Sequence, residues 1–279
     1  MPHEFLSIAL NTAEAEQQRL CEQLVRFGFA VFEVREKQQL DALEKGIDEI
    51  GQKSGFRFPP INVETIHYGR VHREAFRALF EIAIEALSTL TGRDETRGAD
   101  MNLLFSESVD EPFPHGHPYH PTFFNLFNYD HGSLNEHQDR GLITVIFVEP
   151  APQIEEEVST IKSETEMMAE APSSLWVHDH DRQWHSADEV IRVLRHRYPK
   201  KRYVLLLLGE DGEIYFRKEE AHQHHLPLKD LYAAGHSVRV DPVGQFIERS
   251  HHRCDPEARP FQNRRSAALI LKRLTQGDH

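Results

Sequence analysis

The sequence predicts a barrel or sandwich of short β-strands that is backed by helices. Apolar residues recur at helical spacing through most of the first hundred residues, with one early strand among them. From about residue 100 the pattern changes to many short apolar stretches bounded by turn residues. The chain of 279 residues can bury a full core, as one large domain or two small ones. A helical lead-in followed by many strands favours a β core with helices packed against it.

Three helices and one strand are predicted in the first part of the chain. The predicted helices cover residues 12–27, 38–52 and 73–90, and the strand covers residues 29–34. Asn11 or Thr12 is a suitable N-cap for the first helix, which Gly28 ends. The third helix carries a regular apolar stripe, which is more typical of core packing than of a ligand groove, and Gly92 closes it.

The remainder of the chain is predicted to be mainly β. The predicted strands are residues 101–105, 123–127, 142–148, 174–177, 202–208, 213–216, 237–240, 244–248 and 266–271. Two polar stretches interrupt them. Residues 153–174 are predicted to be an acidic surface loop, and residues 218–235 a loop with a short helix.

The net charge, the cysteine count and the hydropathy of the chain disfavour several classes of protein. A formal charge of −13 disfavours non-specific attraction to phosphate backbones, so no nucleic-acid partner is expected. The two cysteines, Cys21 and Cys254, form no disulfide framework and suit a reducing compartment. No signal peptide is apparent, and the longest strongly apolar run, residues 203–209, is too short to span a bilayer. We therefore expect a cytoplasmic protein without a membrane partner.

Two segments far apart in the chain carry residues suited to bind a metal. The first contains His137 and Asp139, directly before the apolar residues 142–148, and the second contains His252. Two histidines and one carboxylate are the ligands of a facial triad, which leaves open coordination positions on ferrous iron. Residues two apart in a strand face the same side, so His137 and Asp139 are expected to point together into a barrel.

A second pair of residues is suited to bind a carboxylate. Arg264 and Ser266 are also two apart, shortly after His252, and are expected to share one face of a strand. The planar guanidinium group binds a carboxylate through two charge-assisted hydrogen bonds, and the hydroxyl can add one more.

The other histidines among the 19 in the chain give weaker signals. They form three groups, at positions 115, 117 and 120, at 178, 180 and 185, and at 222, 224 and 225. None has the spacing of a closed zinc module. The first group is expected in a surface loop, and the third is expected to be solvated. The middle group, which alternates with Asp179 and Asp181, could bind a divalent metal adventitiously.

Together these segments resemble the isopenicillin N synthase-like branch of the Fe(II)/2-oxoglutarate-dependent oxygenases. The family segment His-x-Asp-x-Gly/Ser-Leu-Leu/Ile-Thr-x-Leu is similar to residues 137–146, and its later His-Arg-Val and Arg-x-Ser are similar to the segments at His252 and Arg264. Residues 28–32 resemble the family's early Gly-Phe-Phe strand. The chain departs from the family at Phe127, where Asn is usual, and in a separation between the metal-site segments about double the usual one.

This resemblance implies a single domain of residues 1–279, of the α+β class with a mainly β core. Residues 96–275 would form a distorted double-stranded β-helix, or jelly roll, as the catalytic core, braced by the helical residues 1–95. It implies that His137, Asp139 and His252 hold Fe(II).

The resemblance also implies an oxidoreductase. Arg264 and Ser266 would bind the far carboxylate of 2-oxoglutarate, with a further hydrogen bond from Tyr129. The enzyme would be a dioxygenase that uses O2 to hydroxylate or desaturate a small-molecule substrate and releases succinate and CO2. Two alternatives remain open: an oxidase of the same fold that does not use 2-oxoglutarate, and a non-catalytic interaction protein. No pattern in the sequence indicates the prime substrate or the oligomeric state.

Overall fold

The structure is a computed structural model that describes residues 13–50, 70–95, 119–129, 134–149, 175–179, 182–213, 251–254 and 264–273. The helices are α1 (Ala13–Phe27), α2 (Lys37–Ile50), α3 (Arg70–Thr91) and α4 (Ala187–Arg197). The strands are β1 (Phe29–Val34), β2 (Tyr119–Tyr129), β3 (Leu134–His137), β4 (Ile143–Glu149), β5 (Leu175–His178), β6 (Trp184–Ser186), β7 (Arg202–Leu208), β8 (His251–Cys254) and β9 (Arg264–Arg273).

The strands of the described ranges form two antiparallel sheets. The large sheet has the order β1-β7-β4-β9-β2, and the small sheet has the order β3-β8-β5-β6. Neighbours in both sheets are mostly distant in the chain, so long connections rather than hairpins join most of the paired strands. The architecture is therefore mixed helix and strand with antiparallel sheets, as the sequence predicts at this level.

The three N-terminal helices and β1 lie where the sequence predicts them. In α1, Glu14 and Glu16 occupy the first turn and Arg26 the last, which suits the charges of a helix dipole. The helix ends at Gly28, whose φ is 75° and whose N–H donates to the Leu24 carbonyl at 2.9 Å. Helix α3 ends in the same way, since Gly92 has a φ of 66°.

Strand β7 of the large sheet is buried on both faces. On one face Val204 and Leu206 of β7 belong to a core that includes apolar residues of α1, α2 and α3. On the other face Leu205 and Leu207 belong to a second core, which contains side chains of the small sheet and of α4. Burial on both sides explains why β7 is a continuous apolar run instead of an alternating one.

The free edge of β1 is covered by side chains of α1. The Gln23 amide oxygen accepts the Val31 N–H at 3.0 Å, and Arg19 Nη1 donates to the Val31 carbonyl at 2.9 Å. Arg19 Nη1 also donates to the Gln23 amide oxygen at 3.1 Å. An edge strand with open N–H and C=O groups invites pairing with another chain. The two α1 side chains satisfy both groups of Val31 and so close this position of the edge.

Several predictions differ from the structure or lie outside it. Helix α4 and strands β3, β6 and β8 are additions to the predicted helices and strands. Glu213 is predicted to begin a strand but ends a helical turn of residues 210–213, since its N–H donates to the Gly209 carbonyl at 3.0 Å. The predicted strands at 101–105, 237–240 and 244–248 lie outside the described residues, as do the predicted loops at 153–174 and 218–235.

No helix in the described ranges is long and apolar enough to cross a membrane.

Candidate metal centre

Two histidines lie side by side on the small sheet. The register of β3 and β8 pairs His137 with His252, and β8 also pairs with β5, where Val177 is opposite His252. Directly paired residues of antiparallel strands lie on the same face of a sheet. That face is the inner one, because Val177 is fully buried in the core shared with the large sheet. The two imidazole ring centroids are 4.1 Å apart.

Asp139 reaches the histidines from a loop, not from a strand. The sequence predicts that it shares a strand face with His137, but β3 ends at His137 and β4 begins at Ile143. Strand alternation therefore does not place Asp139 beside His137, and that part of the prediction is wrong. Its Oδ1 is 3.7 Å from His137 Nε2, and its Oδ2 is 3.7 Å from His252 Nε2. One ligand atom of each of the three residues lies within 4.8 Å of the others, so the predicted side chains do come together.

Thr144, at the second position of β4, orients the carboxylate. Its hydroxyl donates a hydrogen bond to Oδ2 of Asp139. The Thr144 side chain is buried, and the β-branched residue has restricted rotamers in a strand. The sequence motif includes Thr144 but assigns it no role. The sequence feature that could have indicated this role is the position of Thr144, a hydroxyl residue at the start of the buried strand that follows the metal-binding segment.

The three side chains differ in exposure. The His252 side chain is 6% exposed and that of Asp139 is 11% exposed, whereas the His137 side chain is 33% exposed. The cluster is therefore closed around His252 and open at His137. Such a site can exchange ligands with solvent from one side while the low-dielectric core strengthens electrostatic interactions on the other.

The donor set fits a divalent transition metal. Neutral imidazole nitrogens and a carboxylate oxygen are good ligands for iron, and two histidines with one carboxylate are the donors of the non-haem Fe(II) facial triad. Three protein ligands leave coordination positions for small molecules. Within the part of the chain that the structure describes, His137, Asp139 and His252 are the one group of three such residues close enough to hold an ion.

The residues predicted to bind a carboxylate lie on β9 and β2. The register pairs Tyr129 with Arg264, and it pairs Ser266 with Val148 of β4. Val148 and Thr144 are four residues apart on β4, so the buried Ser266 lies on the sheet face that carries Thr144. Ser266 is therefore on the side of the large sheet that faces the metal cluster. The side chains of Arg264 and Tyr129 lie outside the described part of the structure.

A histidine and an aspartate form a pair within the β5–β6 hairpin of the small sheet. His185 Nε2 is 2.7 Å from Oδ2 of Asp179, and both side chains are buried. The other oxygen, Oδ1, accepts the Gln183 N–H at 2.9 Å. Both oxygens of Asp179 are therefore engaged within the β5–β6 hairpin, and adventitious metal binding by the wider group stays a prediction. His180 and Asp181, and the groups at 115–120 and 222–225, lie outside the described residues.

Comparisons with known proteins give similar structures at low sequence identity. No protein-family model matches the sequence. No curated protein matches it either.

Three similar solved structures illustrate the likeness. A prolyl hydroxylase from Trichoplax adhaerens, in complex with a hypoxia inducible factor peptide fragment, is 11% identical over 94% of this chain and 90% of its own, with a TM-score of 0.47. A full-length protein from Neurospora crassa, in complex with alpha-KG, is 13% identical over 94% of this chain and 78% of its own, with a TM-score of 0.48. The dioxygenase for auxin oxidation 1 from Arabidopsis thaliana, with 2-oxoglutarate, is 14% identical over 98% of this chain and 93% of its own, with a TM-score of 0.49.

Proposed function

We propose that the protein is an Fe(II)- and 2-oxoglutarate-dependent dioxygenase that hydroxylates or desaturates a small-molecule substrate. The observation that carries this proposal is the convergence of His137, Asp139 and His252, whose ligand atoms lie within 4.8 Å of one another on the inner side of the small sheet. These residues come from two strands and a loop, and His252 is far from the other two in the chain. A chance cluster of surface histidines would not need this long-range pairing or the burial of His252.

We infer that the two sheets form a double-stranded β-helix. From β2 to β9, successive strands belong to the large, small, large, small, small, large, small and large sheets. A chain that passes between two facing antiparallel sheets in this mirrored order is typical of an eight-stranded jelly roll, and β1 would extend its large sheet. We propose one domain of residues 1–279, with a helical region of residues 1–95 that braces a catalytic core of residues 96–275.

Each residue of the metal cluster has a distinct task in this proposal. When bound, Fe(II) would supply the oxidation of the substrate by O2, coupled to conversion of 2-oxoglutarate to succinate and CO2. His137 and His252 would bind the metal through neutral ring nitrogens, and Asp139 would contribute the negative charge. Thr144 holds Oδ2 of Asp139, so the carboxylate is oriented before a metal arrives. The buried position of His252 excludes water from one side of the centre.

The co-substrate site is proposed on the neighbouring sheet. Arg264 and Ser266 would bind the far carboxylate of 2-oxoglutarate, and Tyr129 would add a hydrogen bond. Two facts support this: Tyr129 and Arg264 are paired in the β2–β9 register, and Ser266 lies on the sheet face that carries Thr144. The spacing of Arg264 and Ser266 supports membership of the isopenicillin N synthase-like branch. The low cysteine count supports a role in the cytoplasm.

An anaerobic titration tests this proposal. Apo-protein is titrated with Fe(II) and then with 2-oxoglutarate, while the weak visible charge-transfer band of an iron chelate is followed. We expect the band for the parent protein and for His196→Ala, which removes an exposed histidine of α4, and we expect its loss in His252→Ala. Iron binding without the band would contradict the use of 2-oxoglutarate and favour an oxidase. No iron binding would contradict the enzyme assignment itself.

A further inference from the structure

We propose that the turn formed by residues 209–213 is a backbone clamp that positions Asp139 for metal binding. This inference rests on the proposed metal site, and it assigns a positioning role to a segment that contributes no ligand. The turn follows β7 directly and lies about seventy positions after Asp139 in the chain. Its connection to the site is therefore a product of tertiary structure.

Three backbone N–H groups of the turn donate to three carbonyl groups of the loop that carries Asp139. The hydrogen bonds are Gly209 N to Leu142 O at 3.0 Å, Glu210 N to Asp139 O at 2.9 Å, and Gly212 N to Gly141 O at 3.0 Å. On its other side the loop is held by β9, because Leu142 N donates to the Leu271 carbonyl at 2.6 Å. Segment 139–142 is thus hydrogen-bonded to the turn on one side and to β9 on the other.

Glycine is needed at two positions for this close approach. A Cβ atom added to Gly209 would lie 2.1 Å from the Gly141 carbonyl oxygen, and one added to Gly212 would lie 2.0 Å from the Leu142 carbonyl oxygen. Both obstacles are backbone atoms, which cannot rotate away as a flexible side chain can. Any side chain at either position must therefore push the turn and the Asp139 loop apart.

The clamp matters because Asp139 lies outside the ladder of either sheet. His137 and His252 are held in register by their strands, whereas Asp139 depends on contacts made by its loop. Its carbonyl group is held by Glu210 and its carboxylate by Thr144, so the residue is anchored at both its backbone and its side chain. Release of the backbone anchor would let the carboxylate move relative to the two imidazoles, and metal affinity depends on ligand geometry.

Thermodynamic reciprocity gives the clamp a second consequence. If an intact turn increases metal affinity through Asp139, then metal binding must stabilise the turn by the same free energy. The three donating N–H groups should then exchange more slowly with solvent when metal is bound. A turn that served only to end β7 would make no such response.

Affinity for Mn(II), a divalent probe that is not oxidised in the assay, tests the clamp directly. We expect Gly209→Ala and Gly212→Ala to bind Mn(II) at least tenfold more weakly than the parent, by electron paramagnetic resonance or calorimetry. The matched control is Gly92→Ala, which places a side chain at a φ of 66° at the end of α3, against the flexible side chain of Gln17. This control should lose stability and keep its Mn(II) affinity.

The outcomes separate the clamp from the metal site. Unchanged affinity in both clamp variants would overturn the clamp and leave the proposed function standing. No Mn(II) binding by the parent would overturn both. If the variants do not fold, amide hydrogen exchange of the parent protein decides: the N–H groups of residues 209, 210 and 212 should be protected at least tenfold more with Mn(II), while that of Gly92 is unchanged. Equal exchange with and without Mn(II) would overturn the clamp.

Discussion

The Thr144 hydroxyl donates a hydrogen bond to Oδ2 of Asp139, the same carboxylate oxygen that lies 3.7 Å from His252 Nε2. The other oxygen of Asp139 faces His137. Each oxygen of the carboxylate thus has a different histidine neighbour, and the hydrogen bond from the hydroxyl holds the carboxylate in this orientation. Hydrogen bonds to metal-binding carboxylates restrict their orientation and tune the charge available to the metal.

Replacing Thr144 by valine should weaken metal binding. Valine keeps the shape of the buried side chain and removes only the hydrogen bond to Asp139, so we expect roughly tenfold lower Fe(II) affinity, the lower end of the effect usual for such partners. Thr144→Ser keeps the hydroxyl group and should retain most of the parent's Fe(II) affinity. A control is Thr89→Val, where the lost hydroxyl donates to the Glu85 carbonyl within α3. Parent-like iron affinity in Thr144→Val would show that the hydrogen bond has no part in the metal site.

Removal of a single ligand should abolish stoichiometric iron binding. Each of the variants His137→Ala and Asp139→Ala leaves two of the three proposed ligands. Asp139→Ala also removes the negative charge of the site, and His137→Ala removes its most exposed ligand. Iron bound per chain, measured anaerobically after desalting, should fall from about one to near zero. His196→Ala controls for the loss of a histidine. If both ligand variants bound as much iron per chain as the parent, the assignment of the three metal ligands would be contradicted.

The variant Arg264→Ala should weaken binding of 2-oxoglutarate far more than binding of Fe(II). A lost charge-assisted hydrogen bond costs roughly 1.5–3 kcal/mol, or about one to two orders of magnitude in affinity. Arg265→Ala is the matched control, because the next position of β9 belongs to the opposite face of the sheet. The two affinities can be measured by titrating the iron-loaded protein with 2-oxoglutarate. Equal weakening in the two variants would mean that Arg264 does not contact the co-substrate.

Gln23→Ala should destabilise the fold without altering metal affinity. The side chain accepts the buried Val31 N–H at the edge of β1, and its loss leaves that donor unpaired, at a cost of about 1–3 kcal/mol. Urea unfolding should show the loss, with a greater tendency to aggregate as the edge opens. Gln18→Ala is the control, since that exposed side chain donates a hydrogen bond to Glu22 one turn further along α1. Equal unfolding midpoints for the two variants would contradict the edge-capping role of Gln23.

Local patterns in the sequence were sufficient for much of the fold. Helices α1 and α3 follow from apolar residues at helical spacing, and the glycines at 28 and 92 mark their ends. Strand β7 follows from a continuous apolar run between polar residues. Helix α4 also had a signal, since Val190, Ile191 and Leu194 are buried on one face, but the many charged residues between them obscured the apolar pattern. These features depend on side chains that are neighbours in the chain, which explains why the sequence predicts them.

The sequence by itself named the three side chains of the candidate metal site, because imidazole and carboxylate groups at motif spacing carry chemical information without a structure. Only the tertiary structure decided how they meet. His137 faces His252 through the register of β3 and β8, and Asp139 is held by Thr144 and by the turn at residues 209–213. Register and backbone contacts between distant segments arise from the packing of two sheets, and no periodicity along the chain encodes which N–H will reach which carbonyl.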